Sequence, residues 1–297
     1  MSTQQTEPVL ISPEELAKHL GEPGLVVLDI RSAGYGGGRS AYDAGHIPGA
    51  VHSDYVADGW RQQVGAAAGL LPDPERLSAL FGRLGITPES HVVVVPAGMS
   101  SGDFSVAARI FWTFRSAGHR RLSMLDGGHE GWQAAGHPLE TSPVEPTPAD
   151  YPVALDPSVR ATLAEVERVV AEGGAMLVDS RGPKSFAGEE KSPHAARAGR
   201  LPGSINLDGA QAYDAARNGL KDKAALGELF APAGEGAVIP FCNTGQAAAT
   251  DWFVLSEVLG RPDVRLYDGS MSEWTADPER PVETGPARPE PKRDLGD

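Results

Sequence analysis

The sequence predicts an α/β protein of two similar domains, each a mainly parallel sheet flanked by helices on both faces. Three observations carry this expectation. Short, almost continuously apolar runs (LVVLDI at 25–30, VVVV at 92–95, AMLVDS at 175–180, AVIP at 237–240) alternate with longer helical patterns. Strands of that kind are buried on both faces, as in a parallel sheet with helical crossovers. One set of motifs also occurs twice in the same order, and a proline-rich stretch at 141–158 separates the two sets.

The elements follow in chain order. Ser12-Pro13-Glu14-Glu15 opens the first helical pattern as an N-cap, with proline at the first helical position and Glu15 placed for a capping box. The first motif set is Leu28-Asp29-Ile30-Arg31, then Gly45-His46-Ile47-Pro48-Gly49-Ala50, then Val92–Val95, then Leu125-Asp126-Gly127-Gly128 with Trp132. The second is Leu177-Val178-Asp179-Ser180-Arg181, then Gly199-Arg200-Leu201-Pro202-Gly203-Ser204, then Val238-Ile239, then Tyr267-Asp268-Gly269-Ser270 with Trp274. Four motifs repeated in order and at similar spacing mark a duplication. The expected organisation is a domain at 9–142, a linker at 143–158, a second domain at 159–280 and a solvated Pro- and charge-rich tail at 281–297.

Composition narrows the function classes. A net charge of −14 argues against nucleic-acid binding, which needs clustered cations, and means that an anionic ligand must be captured by local groups. No apolar run is long enough to span a membrane, and the N-terminal residues lack a secretory pattern, so a cytoplasmic protein is expected. The one cysteine, Cys242, excludes an internal disulfide, a CxxC redox pair and a cysteine-rich metal site. No metal and no cofactor are expected.

Cys242 directly follows the apolar strand Val238–Phe241 and precedes a small-residue helix start, Asn243-Thr244-Gly245-Gln246-Ala247-Ala248. Strand-to-helix loops are where parallel sheets place their reactive groups. Unpartnered N–H groups and the positive end of a helix favour an anion, so the thiol is expected to be thiolate-rich and reactive. The N–H groups of Asn243 through Ala248 would curl around the sulfur, with Gly245 supplying the turn and Thr244 either donating to sulfur or capping the helix.

Together these motifs resemble the rhodanese superfamily, specifically the tandem-domain thiosulfate and 3-mercaptopyruvate sulfurtransferases, over 9–280. The resemblance implies a silent first domain and a second domain that carries a persulfide on Cys242. It implies ping-pong transfer of sulfane sulfur from a small anionic donor to cyanide or a thiol, without a cofactor. A low-charge loop of six residues ending at Ala247, with no arginine closing it, resembles the sulfurtransferases rather than the longer-looped phosphatases of the superfamily. In the first copy the strand places Pro96 opposite Cys242, and the following helix places Ser100 there. Neither stores sulfur.

The resemblance also sets expectations for the surroundings. Asp179 and Arg181 either form an internal ion pair or help bind the donor. Arg200, which stands where the first copy has His46, either faces the pocket or is structural, and His46 itself is expected to be structural. Relatives carry a donor-binding arginine four residues after the Arg of the second motif; here that position is Ser185, with Lys184 beside it as the substitute. The absence of a histidine before Leu71-Pro72 favours thiosulfate over mercaptopyruvate. A persulfide carrier that hands sulfur to a partner protein is the alternative from another class.

Overall fold

The computed structural model describes residues 7–286. The first half runs β1 (Leu10–Ile11), α1 (Pro13–His19), β2 (Leu25–Asp29), α2 (Gly38–Ala44), β3 (Val51–His52) and the hairpin β4 (Gln62–Val64) and β5 (Ala67–Leu70). It continues with α3 (Pro74–Arg83), β6 (His91–Val95), α4 (Ser101–Ser116), β7 (Leu122–Leu125) and α5 (Gly128–Ala134). Five of these strands form one sheet in the order β1-β7-β6-β2-β3, every neighbouring pair parallel.

The second half repeats the plan: α6 (Leu163–Glu172), β8 (Met176–Asp179), α7 (Pro183–Ala187), β9 (Ile205–Asn206), then the hairpin β10 (Tyr213–Asp214) and β11 (Gly219–Leu220). It closes with α8 (Lys223–Phe230), β12 (Val238–Phe241), α9 (Ala247–Trp252), a π-helical continuation at Phe253–Val258, and α10 (Ser270–Trp274). Its sheet, β12-β8-β9, is parallel but short. The outer two strands shrink to single parallel bridges, Val238 with Val264 and Arg160 with Leu266, so the strand order of the first domain recurs in reduced form.

Each sheet buries both faces. Alternate residues of β2 and β6 enter different apolar clusters: Leu28, Val92 and Val94 one, Val27, Val93 and Val95 another. In the second sheet Val178 and Val238 face one cluster, and Leu177, Ile239 and Phe241 the other. The side-chain period of two in a strand sends neighbours to opposite faces, so both need a covering layer. The cluster holding Leu28 and Val178 is continuous between the domains. Helices α4 and α9 meet there, Ala107 and Ala108 near Ala248 and Ala249, with Phe111 edge-on to Phe253 at 4.9 Å.

Three local expectations change. Ser12 caps α1 by accepting from the Glu15 N–H at 3.2 Å, but the Glu15 carboxylate turns to Lys18 and His19 instead of completing a capping box. The segment between α5 and α6, which we propose as the division between domains, is bound along the first domain. The Ala149 N–H donates to Gly82 O at 2.9 Å, and Tyr151 packs edge-on against Phe81 at 4.9 Å. Residues 281–286 of the expected solvated tail are held down. Trp274 Nε1 donates to Pro281 O, and Arg200 and Glu283 exchange backbone hydrogen bonds of 2.9 and 3.0 Å. The rest of that tail, 287–297, lies outside the described residues.

Candidate active site

Strand β12 delivers Cys242 to the carboxyl end of the second sheet, and the Tyr267–Ser270 motif fastens it there. The Cys242 N–H donates to Ser270 Oγ at 3.0 Å, and that hydroxyl donates in turn to Tyr267 O at 2.8 Å. The carbonyls of Cys242 and Asn243 accept from the N–H groups of Met271 and Ser272, at 3.1 and 3.0 Å. Ser270 adopts φ +50°, a left-handed conformation uncommon for a residue with a Cβ, and this aims its hydroxyl at the loop. The thiol is buried, only 3% exposed.

From Cys242 the chain turns at Gly245, at φ +74°, and enters α9 at Ala247. Among the described residues, the N–H groups of Asn243 through Ala248 have no protein acceptor. Donors in that state, with Gly245 and Ala248 buried and the others half-buried, carry a desolvation cost that an anion at the sulfur would relieve. The N-cap of α9 is Gln246, without a side-chain cap bond, so the Thr244 hydroxyl does not cap the helix.

The first domain repeats this loop with three of its donors satisfied. Strand β6 ends at Val95 and α4 begins at Ser101; β12 ends at Phe241 and α9 begins at Ala247. The two loops therefore have equal length, Pro96 stands opposite Cys242, and Ser100 corresponds to Gln246. The Asp103 carboxylate turns back into the first loop and accepts from the N–H groups of Gly98 (2.6 Å), Met99 (3.2 Å) and Ser100 (2.5 Å). In the Cys242 loop the residue corresponding to Asp103 is Ala249, whose methyl leaves the N–H groups open.

The cations expected from the second domain are placed elsewhere. Arg181 grips Asp179 with a fork, Nε to Oδ1 at 2.8 Å and Nη2 to Oδ2 at 2.6 Å, and Nη2 also reaches Gly199 O at 2.8 Å. Arg31 and Asp29 make the same arrangement in the first domain, with Gly45 O as the third partner. A fork present in both copies belongs to the fold. In the second copy, however, Arg181 Nη1 also braces the loop through Asn243 Oδ1 at 3.3 Å. Arg200 does not face a pocket. It is buried, stacks on Phe186 at 4.2 Å and donates to Phe186 O and Gly285 O, because the 281–286 segment folds over it. Lys184 is 68% exposed and pairs with Glu190 at 3.5 Å, since α7 turns that face to water. His46 is structural as expected, stacked on Tyr42 at 3.8 Å with Nδ1 against Tyr42 O.

The first domain covers the loop, through residues that sequence reasoning did not name. Gly69 lies so close to Thr244 that a Cβ there would stand 2.8 Å from the Thr244 Cβ. The Ala68 N–H and carbonyl both engage Ser272 Oγ, and Gln246 Nε2 donates to Tyr35 Oη (3.0 Å) and Ser105 Oγ (3.2 Å). Arg109 of α4 presses its Nη1 against Gly245, fully buried, with Nη2 on Gly69 O at 2.7 Å. Tyr55, also buried, lies within electrostatic reach of Arg109 and Cys242. The available signal was an arginine inside the apolar run Phe104–Phe114, where only a functional or paired charge survives burial.

Comparison with known proteins agrees with this architecture. The rhodanese-like domain matches the chain twice, over residues 12–135 and 162–277. A protein of Pseudomonas aeruginosa named thiosulfate sulfurtransferase is 34% identical over 95% of this chain and 100% of its own length. The sulfur carrier protein TtuD of Thermus thermophilus is 33% identical over 90% of this chain and 93% of its own. The crystal structure of SseA from Escherichia coli, described as a 3-mercaptopyruvate sulfotransferase, superposes with a TM-score of 0.76 at 28% identity, covering 89% of this chain and 99% of that one. With the domain present twice and relatives matched almost end to end, the chain belongs to the rhodanese family.

Proposed function

We propose that the protein is a sulfurtransferase that moves sulfane sulfur from thiosulfate to cyanide or a thiol through a persulfide on Cys242. The Cys242 thiolate attacks the outer sulfur of thiosulfate; the S–S bond of the donor breaks and its electron pair leaves with sulfite. The carbon of cyanide, or an acceptor thiolate, then takes the terminal sulfur, and the Cys242 thiolate returns. The observation that carries this reading is the contrast between the two loops. One holds Asp103 against its N–H groups, and the other leaves Asn243 through Ala248 without an acceptor beside the thiol. Such donors suit the persulfide, an anion formed at that place.

A relative named sulfur carrier protein supports the second reading, in which a partner protein is the acceptor. Turnover with thiosulfate and with mercaptopyruvate, at equal cyanide, separates the possibilities. Preference for thiosulfate supports the proposal; preference for mercaptopyruvate reassigns the donor. A stable persulfide with negligible turnover on either favours the carrier. Cys242→Ser is expected to abolish transfer while leaving the thermal midpoint within a few degrees, since the change is nearly isosteric. Retained activity would remove Cys242 from the mechanism.

A further inference from the structure

Of the three second-domain cations expected to hold an anionic donor, Arg181 and Arg200 are committed to the fold and Lys184 faces water. The first domain places one at the loop. Arg109 is 0% exposed, and its Nε and Nη1 have no hydrogen-bond partner among the described residues. Its nearest carboxylate, Asp268, is 4.0 Å away and already receives Arg160 Nε at 2.9 Å and the Leu71 N–H at 2.6 Å. The guanidinium stacks on Trp112 at 4.5 Å, which fixes its plane. Tyr55, 1% exposed, packs edge-on to Tyr35 at 6.3 Å, whose hydroxyl receives Gln246 of the loop, and its own hydroxyl finds no partner among the described residues. Arg61 lies 4.6 Å over the Tyr55 ring. Arg109 is within electrostatic reach of both Tyr55 and Cys242.

A buried hydroxyl and buried guanidinium donors without partners cost stability, the charged group more than the neutral one. Arg31 and Arg181, by contrast, close their forks on carboxylates. Nη1, which lies against Gly245 of the Cys242 loop, and the Tyr55 hydroxyl suit a ligand that accepts hydrogen bonds there.

We propose that Arg109 and Tyr55 of the first domain bind the oxyanion half of the donor, receiving the sulfonate oxygens of thiosulfate and then of the departing sulfite. The inference rests on the sulfur-transfer reading above. It gives the domain without a thiol a direct part in the reaction and replaces the arginine missing at Ser185. The Arg109 Nη1 presents a charge-assisted donor to an oxyanion, and the Tyr55 Oη–H adds another.

The test uses the full chain with thiosulfate as donor and cyanide as acceptor. Tyr55→Phe removes only the hydroxyl, so its urea midpoint should equal or exceed that of the wild type. Its kcat/KM for thiosulfate should fall about tenfold or more, with sulfite product inhibition weakened in step. Arg109→Lys keeps the charge but loses the fork, and should raise KM for thiosulfate by a similar factor. Persulfide formation, read as one added sulfur atom on the intact mass, separates the failures. A wild type that charges while Tyr55→Phe and a folded Arg109→Lys charge with unchanged kinetics overturns this inference alone. A wild type that never charges overturns the sulfur-transfer reading and the inference with it. If Arg109→Lys does not fold, Tyr55→Phe decides.

Discussion

Replacing Gly245 by alanine tests the loop geometry most directly. Two costs add. At φ +74° a residue with a Cβ is strained by about 1–2 kcal/mol. The new methyl would also lie 2.7 Å from Asp268 O and 2.8 Å from Asp268 Cα, and closer still to Arg109 Nη1. The guanidinium can shift, but the Asp268 backbone is held by a side chain bonded to both Arg160 and Leu71. Overpacking of that kind costs about 1–3 kcal/mol, so the sum is about 2–5 kcal/mol, a large part of the stability of an ordinary domain. Gly203 provides the control, because it sits at φ +73° with no neighbour within 4 Å of the added carbon. Urea unfolding should therefore show a larger loss for Gly245→Ala than for Gly203→Ala, the difference measuring the close approach. Single-turnover persulfide formation should fall about a hundredfold in Gly245→Ala, since a misplacement of about 1 Å costs that much in a positioned reaction. Equal urea midpoints for the two variants, with an unchanged rate, would refute the packing described for this loop.

Other expectations are simpler. Lys184→Ala should leave KM for thiosulfate unchanged, because the ammonium pairs with Glu190 at the surface; a rise in KM would return it to the site. Arg181→Met should cost about 3–5 kcal/mol in chemical denaturation, as it strands the Asp179 carboxylate without its partner. It should also slow persulfide formation through the lost brace on Asn243; wild-type stability would show that the fork is dispensable. Burial of His119 against Tyr151 lowers its pKa to about 4. The unfolded imidazole, near 6.5, holds the proton more tightly, so stability is full above that pH and falls as pH drops from about 6.5 to about 4, by about 3 kcal/mol. Burial pushes His91 and His129 the same way. His119→Asn should flatten the slope of stability against pH across that window, and an unaltered slope would contradict the assignment.

The fold was legible because it is written twice. Apolar strands, helix starts and repeated motifs are local signals, and the second copy checks the first. The shortened outer strands of the second sheet were not legible, since Arg160 and Leu266 read like loop residues and pair only once the domain is assembled. The position of the one cysteine at the end of β12 was plain from the sequence. Its surroundings were harder to read because the partners are remote in sequence: Arg200 is claimed by Gly285, and Gly245 lies against Arg109 and Asp268. Charge type alone could not tell Arg200, closed off by a returning segment, from Arg109, left open at a domain interface.

On the proposed mechanism, the carboxylate in the first loop makes that copy's silence a matter of occupancy as well as of a missing sulfur. Asp103 acts as a tethered counter-ion that never dissociates, so the first loop is permanently in the state the second reaches only while loaded. Installing cysteine at Pro96 alone would put a thiol beside donors already spent on Asp103. Awakening the dormant half would take a paired exchange, the thiol at Pro96 and alanine at Asp103, to match Cys242 and Ala249. Read the other way, the working half is a vacated socket. Its resting state forgoes a stabilisation that its twin keeps, and each incoming sulfur restores it for the length of one half-cycle.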